Sequence, residues 1–473
     1  MEPTIHHHGA VTGVTGSCHQ YITNDTNLLI DCGLFQGDES DRALNEFGFD
    51  VSKVTGLIVT HCHIDHVGRI PWLIAAGFNG PIWCTEPTAA LLPLVMEDAL
   101  GIHIPNDQAL VQRALARITS QIVAVPYGQW LQHSALGKAQ LRFQPAGHIM
   151  GSAYVELDCE GHRTVFSGDL GAPGAIFVEP PKAPERADVI VLESTYGNRN
   201  HEHRETRKQL LADTIERSLE DGGAILIPAF SLGRTQEILA IIEELLEDQS
   251  LTPSPSPEGR GGLFSSLSLR ERAGVRGLSN LPIILDSPLA ARLTTAYRNL
   301  VEHWQEPMQE RRASGRMPLG FEQLITVQNH REHLRLVDRL KQTGQPAIVL
   351  AASGMCQGGR IVNYLQALLD QPITDLVFLG YQARGTLGRR IQTAKQGSLL
   401  NVAGESVQLN AKVHRLSGFS AHADQKGLMA FCTDMAEPPG EIRLVHGDED
   451  AKETLQQVIK AQLPEARVII ATG

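Results

Sequence analysis

The chain has 473 residues, 42% of them hydrophobic and 20% charged, with a formal net charge of −12. That length allows two or three domains around a large core, and the composition is that of a soluble globular enzyme. It excludes a membrane-spanning helix, since no apolar run approaches the roughly 20 residues one needs, and it counts against a protein that is basic throughout to bind nucleic acid.

The opening "MEPTIHHHGAVTG" carries three histidines, too few for a purification tag and read as native; no signal peptide is expected there. Residues 1–200 then hold short apolar strands broken by glycine: "NLLIDCG", "GLIVTHC", "GPIWCT", "AYVELDC", "TVFSGDLG" and "DVIVLEST". Helical patterns fall between them, around 88–100 and 107–118. From about 203 to 393 the style changes to regular helix–strand alternation. "RETRKQLLADTIERSLEDGG" sets Leu210, Leu211, Ile215 and Leu219 on one helix face and ends in glycine. "AILIPAF", "LPIILDS" and "PAIVLAAS" read as buried strands, with "RTQEILAIIEELLED" and "AARLTTAYRNLVEHW" as helices. This predicts a mainly parallel sheet. From about 395 the strand-rich style returns. The expected organisation is therefore a first domain in two parts, 1–202 and 395–473, with a second domain, 203–394, inserted. Within it, 254–280 ("SPSPEGRGGLFSSLSLRERAGVRGLSN") is rich in Ser, Pro, Gly and Arg and reads as a disordered surface insertion without a part in the chemistry. The seven cysteines are scattered, odd in number and contain no C-x-x-C. That pattern predicts a reducing cytoplasm and argues against a cysteine-built zinc site.

The densest chemical signal is "THCHIDHVGRI", where His61, His63, Asp65 and His66 follow the apolar run "GLIVT". The cluster leaves the carboxyl end of a strand, where layered α/β proteins tend to build sites. Imidazoles and a carboxylate converging there are metal-ligand chemistry. A two-metal site needs more donors, and other strand ends offer them: Asp31 in "LLIDCG", His148 in "PAGHIMG", Asp169 in "FSGDLG", Glu193 in "VLESTYG", His422 in "GFSAHAD" and His446 in "RLVHGD". Singly, such a residue is more often a structural hydrogen-bonding group. The ordered series together with H-x-H-x-D-H is the stronger evidence.

This series resembles the metallo-β-lactamase superfamily. Glu193, His422 and His446 resemble motifs A, B and C of its β-CASP branch of nucleic-acid nucleases, and the inserted domain fits that branch. "PAFSLGRTQEIL", "LAASGMCQGGR" and "GYQARGTLGRR" resemble bacterial and archaeal relatives of the cleavage-and-polyadenylation endonuclease subunit. The resemblance implies an αββα sandwich with an inserted α/β domain and two zinc ions, manganese being the alternative metal. It implies that His61, His63 and His148 hold one ion, that Asp65, His66 and His446 hold the other, and that Asp169 bridges them. Asp31 would orient the cluster from behind. Asp65, Glu193 and His422 are the expected catalytic residues, with His422 as the acid for a leaving oxygen and Glu193 holding its imidazole.

The implied activity is hydrolysis of single-stranded RNA, endonucleolytic and also 5′–3′ exonucleolytic, leaving 5′-phosphate and 3′-hydroxyl ends. RNA is favoured over DNA by the histidine at motif C, on resemblance alone. Two glycine-rich turns are candidate phosphate cradles: "SGMCQGGR" with Ser353, Gly354, Gly358, Gly359 and Arg360, and "SLGR" with Ser231 and Arg234. A structural turn is the alternative for each. Arg384, Arg389, Arg390 and Lys395 form a basic run that either follows a phosphate backbone or is a solvated face. Few aromatics accompany these turns, so little base stacking is expected there. The competing functions are a thioesterase or lactonase on the same scaffold, a DNA nuclease, and a non-catalytic scaffold subunit. The complete donor series argues against the last. A cytoplasmic protein without a membrane partner, compatible with a homodimer, completes the expectation.

Overall fold

The computed structural model describes residues 2–250 and 281–473. The segment 254–280, read from sequence as an insertion, lies outside them. The chain divides into two compact units. The first holds 1–201, 299–305 and 421–473; the second holds 202–298 and 306–420.

The first unit contains two six-stranded sheets. One runs in the order β1 (Thr4–His7), β2 (His19–Ile22), β3 (Asn27–Ile30), β4 (Gly56–Ile58), β5 (Ile82–Thr85) and β6 (Ile122–Val125). The other is built from β7 (Ala139–Pro145), β8 (Ala153–Cys159), β9 (His162–Phe166), β10 (Val189–Glu193), β19 (Glu441–Val445) and β20 (Arg467–Ile470), in the order β20-β19-β10-β9-β8-β7. In each sheet hairpins pair antiparallel on one side, and crossover strands pair parallel on the other.

Strand alternation divides the side chains between two cores. In β10, Val191 joins Tyr21, Leu28, Ile58, Trp83, Phe143 and Phe166 between the sheets. Its neighbours Ile190 and Leu192 face the other way, onto Leu428 and Phe431 of helix Gln425–Thr433 and Leu455 and Ile459 of helix Glu449–Gln462. On the first sheet, helix Glu86–His103 packs against β5 and β6. The result is the αββα layering. The expected helices around 88–100 and 107–118 are Glu86–His103 and Gln108–Gln121.

In the second unit the sheet order is β13 (Leu324–Thr326), β12 (Ile283–Asp286), β14 (Ala347–Ala351), β11 (Ala224–Pro228), β15 (Asp375–Phe378) and β18 (Lys412–Arg415). Every pairing in it is parallel. The strands are near-continuous apolar runs because helices cover them, as parallel sheets require. A hairpin of β16 (Leu399–Val402) and β17 (Glu405–Gln408) precedes β18. Two expectations are corrected here. The chain returns to the first unit at Ala421, not at 395, because β18 pairs with β15 and keeps the intervening segment in the second unit. The helix expected to run on to Trp304 stops at Arg298, and residues 299–305 belong to the first unit.

The layer between the two sheets should set the stability of the first unit. Phe143→Ala removes a ring with no exposure and should cost about 3–5 kcal/mol. A clear drop in the denaturant midpoint checks this.

Candidate metal centre

All of the predicted series except His422 follow strand ends in the first unit, and the fold brings the whole series to one place. Asp31 follows β3, and His61, His63, Asp65 and His66 follow β4. His148 lies between β7 and β8, Asp169 follows β9, Glu193 ends β10 and His446 follows β19. His422 sits just before helix Gln425–Thr433. The turn holding Asp65 and His66 is fastened by its backbone: Ser17 N–H donates to Asp65 O, Leu34 N–H to Ile64 O and Cys32 N–H to His66 O, at 2.7–2.9 Å. Gly171 lets the Asp169 loop reach the His148 turn. A Cβ there would stand 1.8 Å from the Gly147 carbonyl oxygen.

Two donor groups result. His61, His63, His148 and Asp169 form the first, and Asp65, His66 and His446 the second, with the donor atoms of each within 4.8 Å of one another. In the first, His63 Nδ1 lies 3.2 Å from His61 Nε2 and 3.1 Å from His148 Nε2. In the second, His66 Nε2 lies 3.3 Å from His446 Nε2, and His446 Nε2 lies 3.5 Å from Asp65 Oδ2. Asp169 faces both. Its Oδ2 is 3.5 Å from His61 Nε2 and 3.6 Å from His148 Nε2, while its Oδ1 is 3.2 Å from His66 Nε2.

Hydrogen bonding decides which ring nitrogens are bare. Thr60 Oγ1 donates its one proton to Asp31 Oδ2 at 2.8 Å, so toward His61 Nδ1, 3.1 Å away, it can only accept. His61 Nδ1 therefore carries the hydrogen and Nε2 is bare. His66 Nδ1 donates to Asp31 Oδ2 at 2.7 Å, which turns Nε2 toward the cluster. Thr195 Oγ1 donates to the His446 carbonyl and accepts from His446 Nδ1, both at 3.2 Å, and again Nε2 is left facing inward. Thr60 and Thr195 escaped the sequence reading because a threonine beside a ligand has no spacing signature. Asp31 and His446 both have positive φ, 62° and 51°. Each costs roughly 1–2 kcal/mol in a residue with a Cβ.

The donor set fits a metal. Bare imidazole nitrogens at such separations repel unless a cation lies among them. Zinc–nitrogen bonds of about 2.0–2.1 Å in a tetrahedron put neighbouring nitrogens roughly 3.3–3.4 Å apart. Asp169 Oδ1 is buried and accepts no hydrogen bond. The ionisation directions agree for His61, His148 and Asp169, while His66 would have to give up its Nε2 proton to a metal. Burial, with His66 nearby, holds His61 well below the usual imidazole range, and burial, with His422, does the same for His148. For His66 burial acts downward, but Asp169 and Asp31 outweigh it and raise it well above that range. Burial pushes Asp169 up, yet the surrounding imidazoles hold its carboxyl well below the carboxylate range.

A third group joins at Asp169. His422 Nε2 lies 3.9 Å from Asp169 Oδ2, and its Nδ1 lies 3.2 and 3.3 Å from the two Glu193 oxygens. Glu193 is fixed by backbone N–H groups of Leu170 and Thr195, at 2.7 and 3.2 Å. His201 Nε2 bonds the His422 carbonyl at 2.8 Å. Burial pushes the His422 imidazole down, but the Glu193 and Asp169 carboxylates outweigh it and raise it to about 9. Its side chain keeps 18% exposure, so it can meet a substrate.

The residues expected to cradle phosphate lie in the second unit, at carboxyl ends of its parallel strands. There the arginines are already engaged. Arg360 Nη1 lies 2.6 Å from Asp286 Oδ1 and bonds the Val327 carbonyl at 3.0 Å. The same carboxylate meets His333 Nδ1 at 2.7 Å and the Tyr364 hydroxyl at 2.5 Å. Arg234 pairs with Glu237 at 2.5 Å. Ser231 Oγ lies 3.1 Å from Ser287 Oγ, and Ser353 Oγ accepts from Gln357 N–H at 3.0 Å. Gly359 has φ 73° and would bring a Cβ within 2.4 Å of the Ala352 carbonyl oxygen; Gly354 faces Phe230, and Gly358 has open space. A closed turn and a neutralised guanidinium describe this stretch better than a phosphate cradle built on Arg360. Arg384, Arg389, Arg390 and Lys395 are exposed.

Asp286 is thus the buried hub of that network, and its loss should be costly. Asp286→Ala should destabilise the protein by about 3–5 kcal/mol, because it strands buried partners. Burial pushes the Asp286 carboxyl up, but His333, Tyr364 and Arg360 outweigh it and hold it below the usual range. Its contribution is therefore full above the unfolded aspartate value of about 3.9 and is lost as pH falls through the lower folded value. Denaturation of wild type and variant at neutral and acid pH should show the gap closing in acid.

Three family models match the chain in order: "Metallo-beta-lactamase superfamily" over 11–229, "Beta-Casp domain" over 266–391 and "Zn-dependent metallo-hydrolase RNA specificity domain" over 406–471. Ribonuclease TTHA0252 of Thermus thermophilus is 37% identical over 448 residues, covering 93% of this chain and 92% of that protein. Transcription termination factor FttA of Methanocaldococcus jannaschii is 30% identical over 474 residues, covering 96% of this chain and 69% of its own length. A crystal structure of a protein of unknown function from Enterococcus faecalis V583 shares the fold, with a TM-score of 0.53 at 13% identity over 99% of this chain and 98% of that one. The donor geometry, the ordered family matches and identity at this level across nearly the whole Thermus protein lead to one conclusion: the chain belongs to the metallo-β-lactamase superfamily, in its Beta-Casp branch.

Proposed function

We propose that the protein is a two-zinc ribonuclease that hydrolyses single-stranded RNA to 5′-phosphate and 3′-hydroxyl ends, with endonucleolytic and 5′–3′ exonucleolytic action. The observation that carries this reading is the His422–Glu193 pair beside Asp169. A hydrolase acting on a lactone or thioester needs no acid for a strongly basic leaving group; a phosphodiesterase gains from one. The similarity to a protein named a ribonuclease supports the choice of RNA.

In this reading His61, His63 and His148 would hold one ion and Asp65, His66 and His446 the other, with Asp169 shared between them. Two such ions supply charge neutralisation at a phosphoryl oxygen and a lowered pKa for water. The protein's own groups do the rest. Asp31 and Thr60 hold His61 and His66 in the tautomers that leave Nε2 bare. Thr195 does the same for His446. His422, protonated at neutral pH, donates its Nε2 proton to the departing 3′-oxygen as the new phosphorus–oxygen bond forms. Glu193 keeps the other ring nitrogen occupied, so only one proton faces the substrate. All of these donors come from one chain, so the site does not require a homodimer. The seven cysteines are all free and buried, which fits a reducing cytoplasm. Among the described residues no helix is long and apolar enough to cross a membrane.

His422→Ala should keep its metal and lose about 10²–10⁴-fold in RNA cleavage. It should lose far less on a nitrophenyl phosphodiester, whose leaving group hardly needs a proton. Loss of metal would make His422 a ligand instead. Because the acid must be protonated, the rate falls as pH rises through the His422 value. Glu193→Gln removes the nearer carboxylate and should move that alkaline limb down by roughly 1–2 pH units. A pH–rate profile reads this directly. Asp31→Ala should weaken metal binding about 10–100-fold while the fold survives, measured by competition with a chelating dye.

A further inference from the structure

In the second unit, helix His330–Thr343 joins β13 to β14 and runs back against the strand direction, as a crossover between parallel strands requires. It buries His333, Val337 and Leu340. Arg331, Arg335 and Arg339 stand on its opposite side, all exposed. Positions i, i+4 and i+8 advance about 6 Å per step along a helix and turn only slightly, so the three arginines form one row. Among the described residues none of the three forms an ion pair. Arg339 Nη2 donates to the neutral Gln345 Oε1 at 2.8 Å. That contrasts with the rest of a chain holding 53 Asp and Glu against 41 Lys and Arg. Elsewhere the acids find their arginines: Arg163 and Arg186 meet Asp158, and Arg311 and Arg316 meet Glu243.

Two acids share the outer surface of this helix. Glu332 Oε2 accepts from the Gln328 backbone N–H at 3.3 Å, at the helix start, and Asp338 flanks the row without pairing to it. With Lys341 the exposed surface carries four cations against these two. The row begins at the carboxyl end of β13, the same end of the parallel sheet from which the turn holding Ser353 and Arg360 leaves after β14. Open parallel sheets place ligands outside that end, and Arg335 and Arg339 lead away from it. Guanidinium groups hold phosphates by paired hydrogen bonds. An even series of unpaired cations fits a polyanion with a regular charge repeat; an acidic protein segment has no such repeat. We propose that Arg331, Arg335 and Arg339 form a track for the phosphate backbone of the RNA strand, one phosphate to each arginine, on a length of strand other than the one being cleaved. The choice of RNA rests on the ribonuclease reading; the phosphate track does not.

The test uses the metal-loaded, full-length protein and a fluorescently labelled oligouridylate with cleavage-resistant phosphorothioate links, followed by anisotropy over a range of salt. Each phosphate contact to a single strand contributes about 0.7 to the slope of log affinity against log salt, so replacing all three arginines by alanine should flatten that slope by about 2. Replacing all three by lysine keeps the charge and should keep the slope. Alanine is a strong helix former and the positions are exposed, so the variant should fold. Metal content and turnover of the nitrophenyl diester should match wild type, while KM for a long RNA rises. A control removes the same charge at scattered exposed positions of the first unit, Arg113→Ala, Lys182→Ala and Lys460→Ala, and should move the slope far less. An unchanged slope in the alanine variant, or an equal loss in the control, overturns the track and leaves the row to solvent or to an acidic protein. If the slope falls as expected but wild-type protein cleaves no RNA, the track stands and the ribonuclease reading falls.

Discussion

One carboxylate governs the layout of the first unit. Asp169 lies buried between two groups of imidazoles, with Oδ2 toward one and Oδ1 toward the other. A carboxylate can serve two centres only if both groups are fixed relative to it. The two-sheet architecture meets that condition. One sheet ends in His61, His63, Asp65 and His66, the other in His148, Asp169, Glu193 and His446, and the apolar layer between the sheets holds the two sets of strand ends in register. Close backbone approach at Gly171, and the left-handed conformations of Asp31 and His446, are local costs of that convergence.

The same arrangement sorts the protons. So many imidazoles in one buried place cannot all be charged, and the carboxylates decide which are. His61 and His148 are held neutral, whereas His66 and His422 are raised by the acids beside them. In the two-zinc reading His61 and His148 are already neutral for coordination, His66 would give up its Nε2 proton to the metal, and the raised, partly exposed His422 suits proton donation. Its position next to Asp169 joins these two roles in a single site.

Much of this arrangement could be read in the sequence, for a physical reason. Metal donors of this kind sit at strand ends, and strand ends show as an apolar run followed by a polar residue and glycine. Asp31, His148, Asp169, Glu193 and His446 all carry that local mark, and H-x-H-x-D-H carries a denser one. What stayed hidden depends on partners distant in sequence. Thr60 and Thr195 matter because of the groups they meet, not because of their neighbours in the chain. Arg360 looked free in its glycine-rich turn, and only the fold reveals Asp286 against it. The return point near 395 was misplaced because β16 and β17 form a hairpin of short strands, as the first unit has, while β18 pairs into the second.

The measurement closest to the central claim is metal stoichiometry with and without Asp169. Purified wild-type protein should hold about two zinc ions per chain on a dinuclear reading. Because one carboxylate faces both groups, the two-zinc reading predicts that Asp169→Ala lowers occupancy at both, seen as loss of tight binding for two ions, not one, in a chelator competition. A variant that stays folded and keeps both ions at wild-type affinity would contradict the account.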